Sequence, residues 1–370
     1  LQPKTGGSMW IIGQPGDETV YSFSAGLEAP VTILLTNAPA SVKKLAAATQ
    51  AKIIERNTTD VNAYETISRE LTNGAGFDDI VILKPNSASA VSQIARFIAR
   101  RGSCNLVGTE PLDGLASVDF GRLHYDYITF LGTHSTDIAS SYGEERNRCE
   151  LRPGGTTVFV GAGGPMGQLH VQRALEHPEG PQLVIATDIS DERLQTLKDM
   201  SIPLAKKQGR TILFFNPAVS EQPFYDFVMQ ATQGQGADDV VVSVPNAGLM
   251  EEGSSVMKPD GMLVLFAGVP NGTMGNVNLS NVYLANALYT GTSGLTIDDQ
   301  ALVMQKREAG TLSPGRSVAA IGGLNVAPAA ITSVLGRTSS ASAARSDSGV
   351  CTSSARGSVI SPPTKYGSPQ

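Results

Sequence analysis

Short apolar runs alternate with amphipathic runs along most of this chain. In the later half, Thr156–Val160 (TTVFV), Leu183–Thr187 (LVIAT), Thr211–Phe215 (TILFF), 239–244 (DVVVSV), 262–266 (MLVLF) and Leu288–Thr290 (LYT) read as strands. Between them, 166–176, 191–200, 223–232 and 249–257 space their apolar residues as helices do. Several strands are continuously apolar rather than alternating, which predicts a parallel sheet covered on both faces. After Ile297 the run DDQALVMQKREAG predicts a helix stopped by Gly310. A strand at 317–324 (SVAAIGGL) and a short helix at 328–335 close the ordered part. From Arg337 the chain is rich in Ser, Ala, Arg and Pro without apolar periodicity. Such a tail buries too little to order itself.

The pattern repeats. Residues 76–86 read GFDDIVILKPN and residues 236–246 read GADDVVVSVPN, an offset of 160. Gly132-Thr133 matches Gly291-Thr292, and Asn57 matches Asn216, both at 159. The openings LQPKTGGSMWIIG and LRPGGTTVFVG also correspond. The expected fold class is therefore α/β, with two tandem Rossmann-like, doubly wound parallel-sheet units at 1–146 and 147–336. A disordered tail follows at 337–370.

The later unit carries the candidate chemistry. Strand TTVFV runs into the loop Gly161, Ala162, Gly163, Gly164, Pro165, Met166, Gly167. A helix-like run and a second strand follow, and that strand ends in Asp188. Strand, glycine turn, helix, strand and acid is the order of a dinucleotide-binding βαβ unit. Glycines let the backbone approach a pyrophosphate, and the helix N-terminus attracts it. Asp188 lies 188 − 167 = 21 residues past the last glycine, where an acid accepts the ribose hydroxyls. The spacing fits in two ways, as Gly161, Gly163, Gly167 or as Ala162, Gly164, Gly167. A carboxylate here repels a 2′-phosphate, so NAD is expected and NADP less so. Arg193, five residues on, either turns toward a phosphate or pairs with Asp191 or Glu192.

The corresponding loop of the first unit is GQPGDET, 13–19. Asp17 and Glu18 stand where a diphosphate would sit and would repel it. Helix N-termini favour such acids, so capping in place of a phosphate is expected. Asn37 stands in the position of Asp188. The first unit is expected to be a degenerate, non-binding copy.

The net charge of −6 argues against a nucleic-acid partner. No apolar stretch reaches membrane-spanning length, so no membrane partner is expected. Three scattered cysteines, Cys104, Cys149 and Cys351, suggest a reducing, cytoplasmic setting. His124, His134, His170 and His177 form no metal-binding or triad pattern, and no Tyr-x-x-x-Lys pair stands in the folded region. No catalytic residue is assigned.

The later unit resembles the cofactor half of the medium-chain dehydrogenase/reductase superfamily, the zinc-type alcohol and polyol dehydrogenases, particularly the sorbitol and sorbose-phosphate reductase branch. RPGGTTVFVGAGGPMG, VIATDISDERL with Asp188 and Arg193, GADDVVVSVPN, LFAGVP and the run GTSGLTIDDQALVMQKREAGTLSPGRSVAAIGGL carry the likeness. It implies an NAD(P)-dependent oxidoreductase segment acting on an alcohol, polyol or sugar phosphate. It implies that Val244, Pro245 and Asn246, Ala267, Gly268 and Val269, and Gly291 and Thr292 end three strands and hold the nicotinamide end through their backbones. Zinc belongs to a catalytic domain that this sequence does not contain, so the chain alone is expected to be inactive. The alternative is a non-catalytic dinucleotide-binding sensor or assembly module. Relatives pair through the last strand of this fold, so the two units are expected to form an intramolecular pseudo-dimer, with a homo-oligomer as the other possibility.

Overall fold

The computed structural model describes residues 2–143, 148–291, 293–317 and 323–335. The first half contains β1 (Ser8–Ile12), β2 (Thr32–Thr36), α1 (Ala40–Ala47), β3 (Lys52–Glu55), α2 (Val61–Thr72) and β4 (Phe77–Leu83). It continues with α3 (Ala88–Ala95), β5 (Ile98–Val107), β6 (Ala116–Asp119), α4 (Phe120–Tyr125) and β7 (Thr129–Thr133). The second half contains β8 (Thr156–Val160), α5 (Pro165–Glu176), β9 (Leu183–Thr187), α6 (Asp191–Lys207), β10 (Thr211–Phe215) and α7 (Phe224–Ala231). Then come β11 (Ala237–Val242), α8 (Ala247–Ser255), β12 (Met257–Leu265), β13 (Met274–Val277), α9 (Ser280–Ala285), β14 (Leu288–Thr290), α10 (Ile297–Glu308) and α11 (Ala327–Leu335).

Two six-stranded sheets result, ordered β3-β2-β1-β4-β5-β7 and β10-β9-β8-β11-β12-β14. All ten pairings within them are parallel. Both follow the doubly wound order, with the switch point beside the first strand of each half. Apolar strands such as VFV and VVV are buried on both faces, as parallel sheets require. Local signals set the helix starts. Ser87, Asp119, Ser190 and Asn246 each accept a bond from a backbone N–H of the first turn of α3, α4, α6 and α8.

Both sheets lie in one compact unit, Leu1–Leu302. One apolar cluster contains Trp10, Phe77, Phe120 and Phe130 of the first half with Val158, Val240, Tyr283 and Tyr289 of the second. The halves meet across a two-stranded antiparallel ribbon that the sequence pattern did not reveal. Ala116 pairs with Val277, and Asp119 pairs with Met274. The relation is a pseudo-twofold. Val118 and Val277, His124 and Tyr283, and Gly132 and Gly291 are each 159 residues apart. A Cβ built on Gly132 would lie 2.6 Å from Tyr283 Cβ, and one on Gly291 would lie 3.1 Å from His124 Cα. Each glycine thus admits the helix of the other half. The edge strands β7 and β14, carrying Phe130 and Tyr289, are neighbours.

Several boundaries differ from the sequence reading. The strand expected at 239–244 ends at Val242, and the one expected at 262–266 ends at Leu265. Val244 and Asn246 instead form a turn, with Asn246 N donating to Val244 O at 2.8 Å, and Asn246 caps α8. The largest departure lies after β1. No helix follows the first glycine loop, and the chain runs to β2 at Thr32 as turns and extended backbone. Asp17 and Glu18 therefore cap no helix.

The second compact unit, Val303–Gln370, begins within α10. Its described remainder comprises 3-10 turns at Pro314–Ser317 and Leu324–Val326, and α11. Most of the strand expected at 317–324 lies outside the described residues, as do Thr292, the tail 337–370 and Cys351; Leu324 itself is in a turn.

Candidate functional site

The glycine loop of the second half crosses the C-terminal end of β8, at the switch point between β9 and β11. Gly161 takes the left-handed conformation (φ +78°) that makes the tight turn. At Gly163 the backbone passes close to Arg193 and Asp188. A Cβ there would lie 2.6 Å from Arg193 Cβ and 2.8 Å from Asp188 Oδ2. Gly167, on the first turn of α5, packs against the loop, and a Cβ would lie 2.6 Å from Ala162 Cα. Gly164 is the N-cap and Pro165 the first helical residue, where its missing N–H matters least.

The donors of this loop divide into two sets. The amides of Gly161 and Ala162 donate to Thr187 O, and that of Gly164 donates to Gly161 O at 3.3 Å. Gly163 N donates to Asp188 Oδ2 at 3.0 Å. The helical ladder starts only at Gln168 N, which donates to Gly164 O. No side chain caps α5. The Met166 and Gly167 amides thus precede the ladder, at the positive end of the helix. An anion placed there meets two N–H groups.

Asp188 closes the other side of the loop. Its residue is 7 % exposed, and its second oxygen, Oδ1, accepts from Ser190 N at 3.0 Å. A carboxylate offers about four acceptor sites, so two remain for hydroxyl donors. Ser190 also caps α6, so one short segment fixes the acid and starts the helix that carries Arg193. Arg193 packs its Cβ on Gly163.

One residue escaped the sequence reading. Ser243 follows β11 beside the loop, and its Oγ is buried without a hydrogen-bond partner. Its hydroxyl is left with hydrogen-bonding capacity that a ligand group or a water at the loop can take up. Only its place after a parallel strand could have signalled it. A dinucleotide thus fits three features of this chain: the uncapped helix start, the acid held at the loop, and the orphan hydroxyl.

The strand-end residues are placed less simply. Val244 packs its side chain over Gly161, and Asn246 Oδ1 is engaged as a cap, accepting from Leu249 N at 3.1 Å. Ala267 N donates to Val242 O. Gly268 and Gly291 are covered by residues of α4. They do lie at the C-terminal ends of their strands, where ligands of such sheets bind.

The same place in the first half keeps a small cavity of about 140 Å³ beside Gly13, Asn37 and Ser87, but its loop is tied differently. Asp17, its side chain 1 % exposed, accepts from Lys84 Nζ at 2.5 Å, from Tyr21 Oη at 3.1 Å and from Thr19 N at 3.0 Å. These bonds overcome the effect of burial and hold its carboxyl below the ordinary range. Lys84 occupies the position of Val244, 160 residues earlier, and its cation is already matched by Asp17. Asn37 spends its amide on Thr58 O, at 2.7 Å.

The histidines keep to packing. His170, on α5, lies edge-on to Phe266 at 4.3 Å and parallel to Phe159 at 6.5 Å. Burial, aided by Arg173, lowers its pKa to about 4. The unfolded chain then binds a proton between pH 6.5 and about 4 that the folded chain refuses. Stability is complete above pH 6.5 and falls by at most about 3 kcal/mol as pH drops through that window. Urea midpoints measured against pH should show this loss, and His170→Leu should flatten it. Parallel profiles for the two proteins would refute the assignment.

Among the described residues, no group of three His, Cys, Asp or Glu side chains stands where it could hold a metal ion. The residues present do not fit a zinc site. Among them, too, no helix is long and apolar enough to cross a membrane.

No protein-family profile matches the chain. It is similar to mannitol-1-phosphate 5-dehydrogenase of Aliivibrio fischeri, with 29 % identity over 188 residues, covering 50 % of this chain and 44 % of that protein. It is similar to L-sorbose 1-phosphate reductase of Klebsiella pneumoniae, with 29 % identity over 198 residues, covering 53 % and 47 %. The chain spans just under half the length of these relatives. Among solved structures, an alcohol dehydrogenase zinc-binding domain protein from Burkholderia ambifaria aligns over 51 % of this chain and 48 % of that one, with 21 % identity and a TM-score of 0.39. An alcohol dehydrogenase from Thermus sp. ATN1 aligns over 50 % of each, with 22 % identity and a TM-score of 0.39. Such low scores carry no argument about chemistry. The sequence matches support a polyol dehydrogenase-like relationship, as the resemblance implied.

Proposed function

We propose, from a chain related to polyol dehydrogenases, that it is the cofactor-binding segment of a nicotinamide-dependent alcohol, polyol or sugar-phosphate dehydrogenase. Residues 147–336 form the binding unit, and residues 1–146 a duplicated copy that has lost its site. The single observation that carries the reading is the Asp188 carboxylate held against Gly163 N at the mouth of an uncapped helix.

In this reading the Met166 and Gly167 amides bind the pyrophosphate and Asp188 accepts the adenosine ribose hydroxyls. Ser243 supplies a further polar contact. The buried acid favours NAD over NADP, because a 2′-phosphate would meet a fixed negative charge. The bound nicotinamide supplies hydride transfer. Substrate activation, and zinc with it, belongs to a part of the enzyme outside this sequence. The pseudo-twofold arrangement of the two halves supports an internal duplication that reproduces a dimer within one chain. Cys104, buried with its thiol pushed up to about 12, and the free Cys149 suit a reducing, cytoplasmic compartment.

Titration of NADH into the full chain tests this, followed by cofactor fluorescence. Saturable binding is expected. Asp188→Ala should weaken it about tenfold to a hundredfold, since hydrogen bonds to a charged group contribute about 1.5–3 kcal/mol. Asp188→Asn, which still accepts from Gly163 N, separates loss of charge from collapse of the loop. Equal affinity in parent and Asp188→Ala would refute the site.

A further inference from the structure

The first half reaches onto the strand ends of the second. Three consecutive aromatic contacts run from α4 and the turn after it onto the C-terminal strand ends of the second sheet. His124 Nδ1 lies 3.0 Å from Leu265 O. Tyr127 Oη donates to Ser293 O. Between them, Tyr125 lies over Gly268. A Cβ on Gly268 would lie 2.7 Å from Tyr125 Cζ and would collide with the hydroxyl. The Tyr125 ring stands edge-on to His124 at a centroid distance of 4.5 Å, so its direction is set from behind.

The three differ in access. His124 is 6 % exposed, whereas Tyr125 is 43 % exposed. Buried His124 serves as a support. Tyr125 presents its hydroxyl beside the Gly268 backbone, just past the C-terminal end of β12.

The arrangement is not reciprocated. The residue 159 positions after Tyr125 is Leu284, which has no hydroxyl. Gly108, the counterpart of Gly268 at an offset of 160, faces Pro85 instead, with Pro85 Cδ 2.9 Å from its built Cβ. The half with the intact glycine loop receives a polar aromatic from its twin. The first half is reached in turn by Tyr283, but that ring is buried and its Oη donates to Glu110 O at 2.6 Å, so what is not reciprocated is a partly exposed hydroxyl over the strand-end glycine.

We propose that the first half completes the cofactor site of the second, with the Tyr125 hydroxyl as a positioning group at the nicotinamide end. The proposal rests on the dinucleotide reading above. The adenosine and pyrophosphate ends lie at Asp188 and the helix start, so they are independent of Tyr125. The hydroxyl would offer a hydrogen bond to a group of amide chemistry, such as the nicotinamide carboxamide, if the cofactor reached the strand ends where Gly268 and Gly291 lie, because ligands of such sheets bind outside the C-terminal ends of the strands. The degenerate half would then persist because the site needs it.

The experiment compares two ligands with the full chain, NADH and ADP-ribose, which lacks only the nicotinamide. Tyr125→Phe deletes the hydroxyl and keeps the ring on His124. It should weaken NADH by about twofold to tenfold, the range of one hydrogen bond, and leave ADP-ribose unchanged. Leu284→Ala should change neither ligand. Unchanged NADH binding in Tyr125→Phe, or equal weakening of both ligands, overturns the proposal while the dinucleotide site stands. Failure of the parent to bind ADP-ribose as well as NADH overturns both readings.

Discussion

Gly275→Val should destabilise the Leu1–Leu302 unit by up to about 3 kcal/mol and separate the unfolding of its two halves. Gly275 lies in β13 opposite Val118, at the antiparallel ribbon that joins the sheets. A Cβ there would fall within the ring of Phe120, 2.6 Å from Cδ2. Phe120 is 0 % exposed and belongs to the apolar cluster that both halves share, so it has nowhere to go. Gly121 beside it already touches the Pro270 backbone, which blocks a shift of α4. Any side chain at Gly275 must therefore open the ribbon. The single tryptophan, Trp10, is buried in the first sheet and reports that half alone. In the parent, denaturant curves from Trp10 fluorescence and from far-ultraviolet circular dichroism should coincide, because the core is continuous. In Gly275→Val they should part. Gly114→Ala is the control, because a Cβ there meets nothing within 4 Å. A parental midpoint in Gly275→Val would show that the halves do not depend on this contact.

That joint marks the limit of what the sequence displays. The strands of both sheets are legible because each is a local run of apolar, β-favouring residues, and the glycine loop with Asp188 is legible because its chemistry is carried by spacing. The ribbon is not. ASVD and MGNV are four residues long with no strong β signal, and they pair across more than 150 residues. Tyr125 is invisible as a site residue for the same reason, since its relation to Gly268 exists only once the ribbon has formed. The helix expected after Gly13 fails for a different reason. Asp17 is drawn into bonds with Lys84, Tyr21 and Thr19, and those bonds favour turns over a helical start. The strand ending at Val242 rather than Val244 reflects a local competition that an apolar run conceals. The chain turns at Val244, where Asn246 N donates back to Val244 O, and Asn246 becomes the cap of α8. The Asp-Asp repeat was plain in the sequence, but its purpose required coordinates.

That purpose gives the other large effect. In each half the two acids at the foot of the fourth strand tie down the segment that enters the first strand. Asp78 accepts from Ser8 N at 2.9 Å and Asp238 from Thr156 N at 2.7 Å. Asp79 accepts from Lys4 N at 2.9 Å and Asp239 from Arg152 N at 2.7 Å. The halves differ at the remaining oxygen. Asp79 Oδ1 takes the Ser103 hydroxyl at 2.6 Å, whereas Asp239 Oδ1 takes the Arg148 guanidinium. Asp239 is 0 % exposed, and burial pushes its carboxyl up despite the opposing charge of Arg148. Arg148→Met leaves that carboxylate buried with only a backbone partner. The expected loss at pH 7 is about 3–5 kcal/mol, as for a buried pair stripped of one member. The pH dependence follows from the sign of the shift. A carboxyl raised above its ordinary 3.8 exacts no penalty once protonated in both states, and the penalty grows as pH rises through its folded value. The gap between parent and Arg148→Met should therefore be widest near neutrality and close below about pH 4. The double variant Arg148→Met, Asp239→Asn should recover part of the loss at pH 7, because no charge is left unpaired. Urea unfolding across pH 4–8 measures all three. A gap that does not change with pH would assign the effect to lost packing of the Arg148 stem and remove the ion pair from the account of how the second half is anchored.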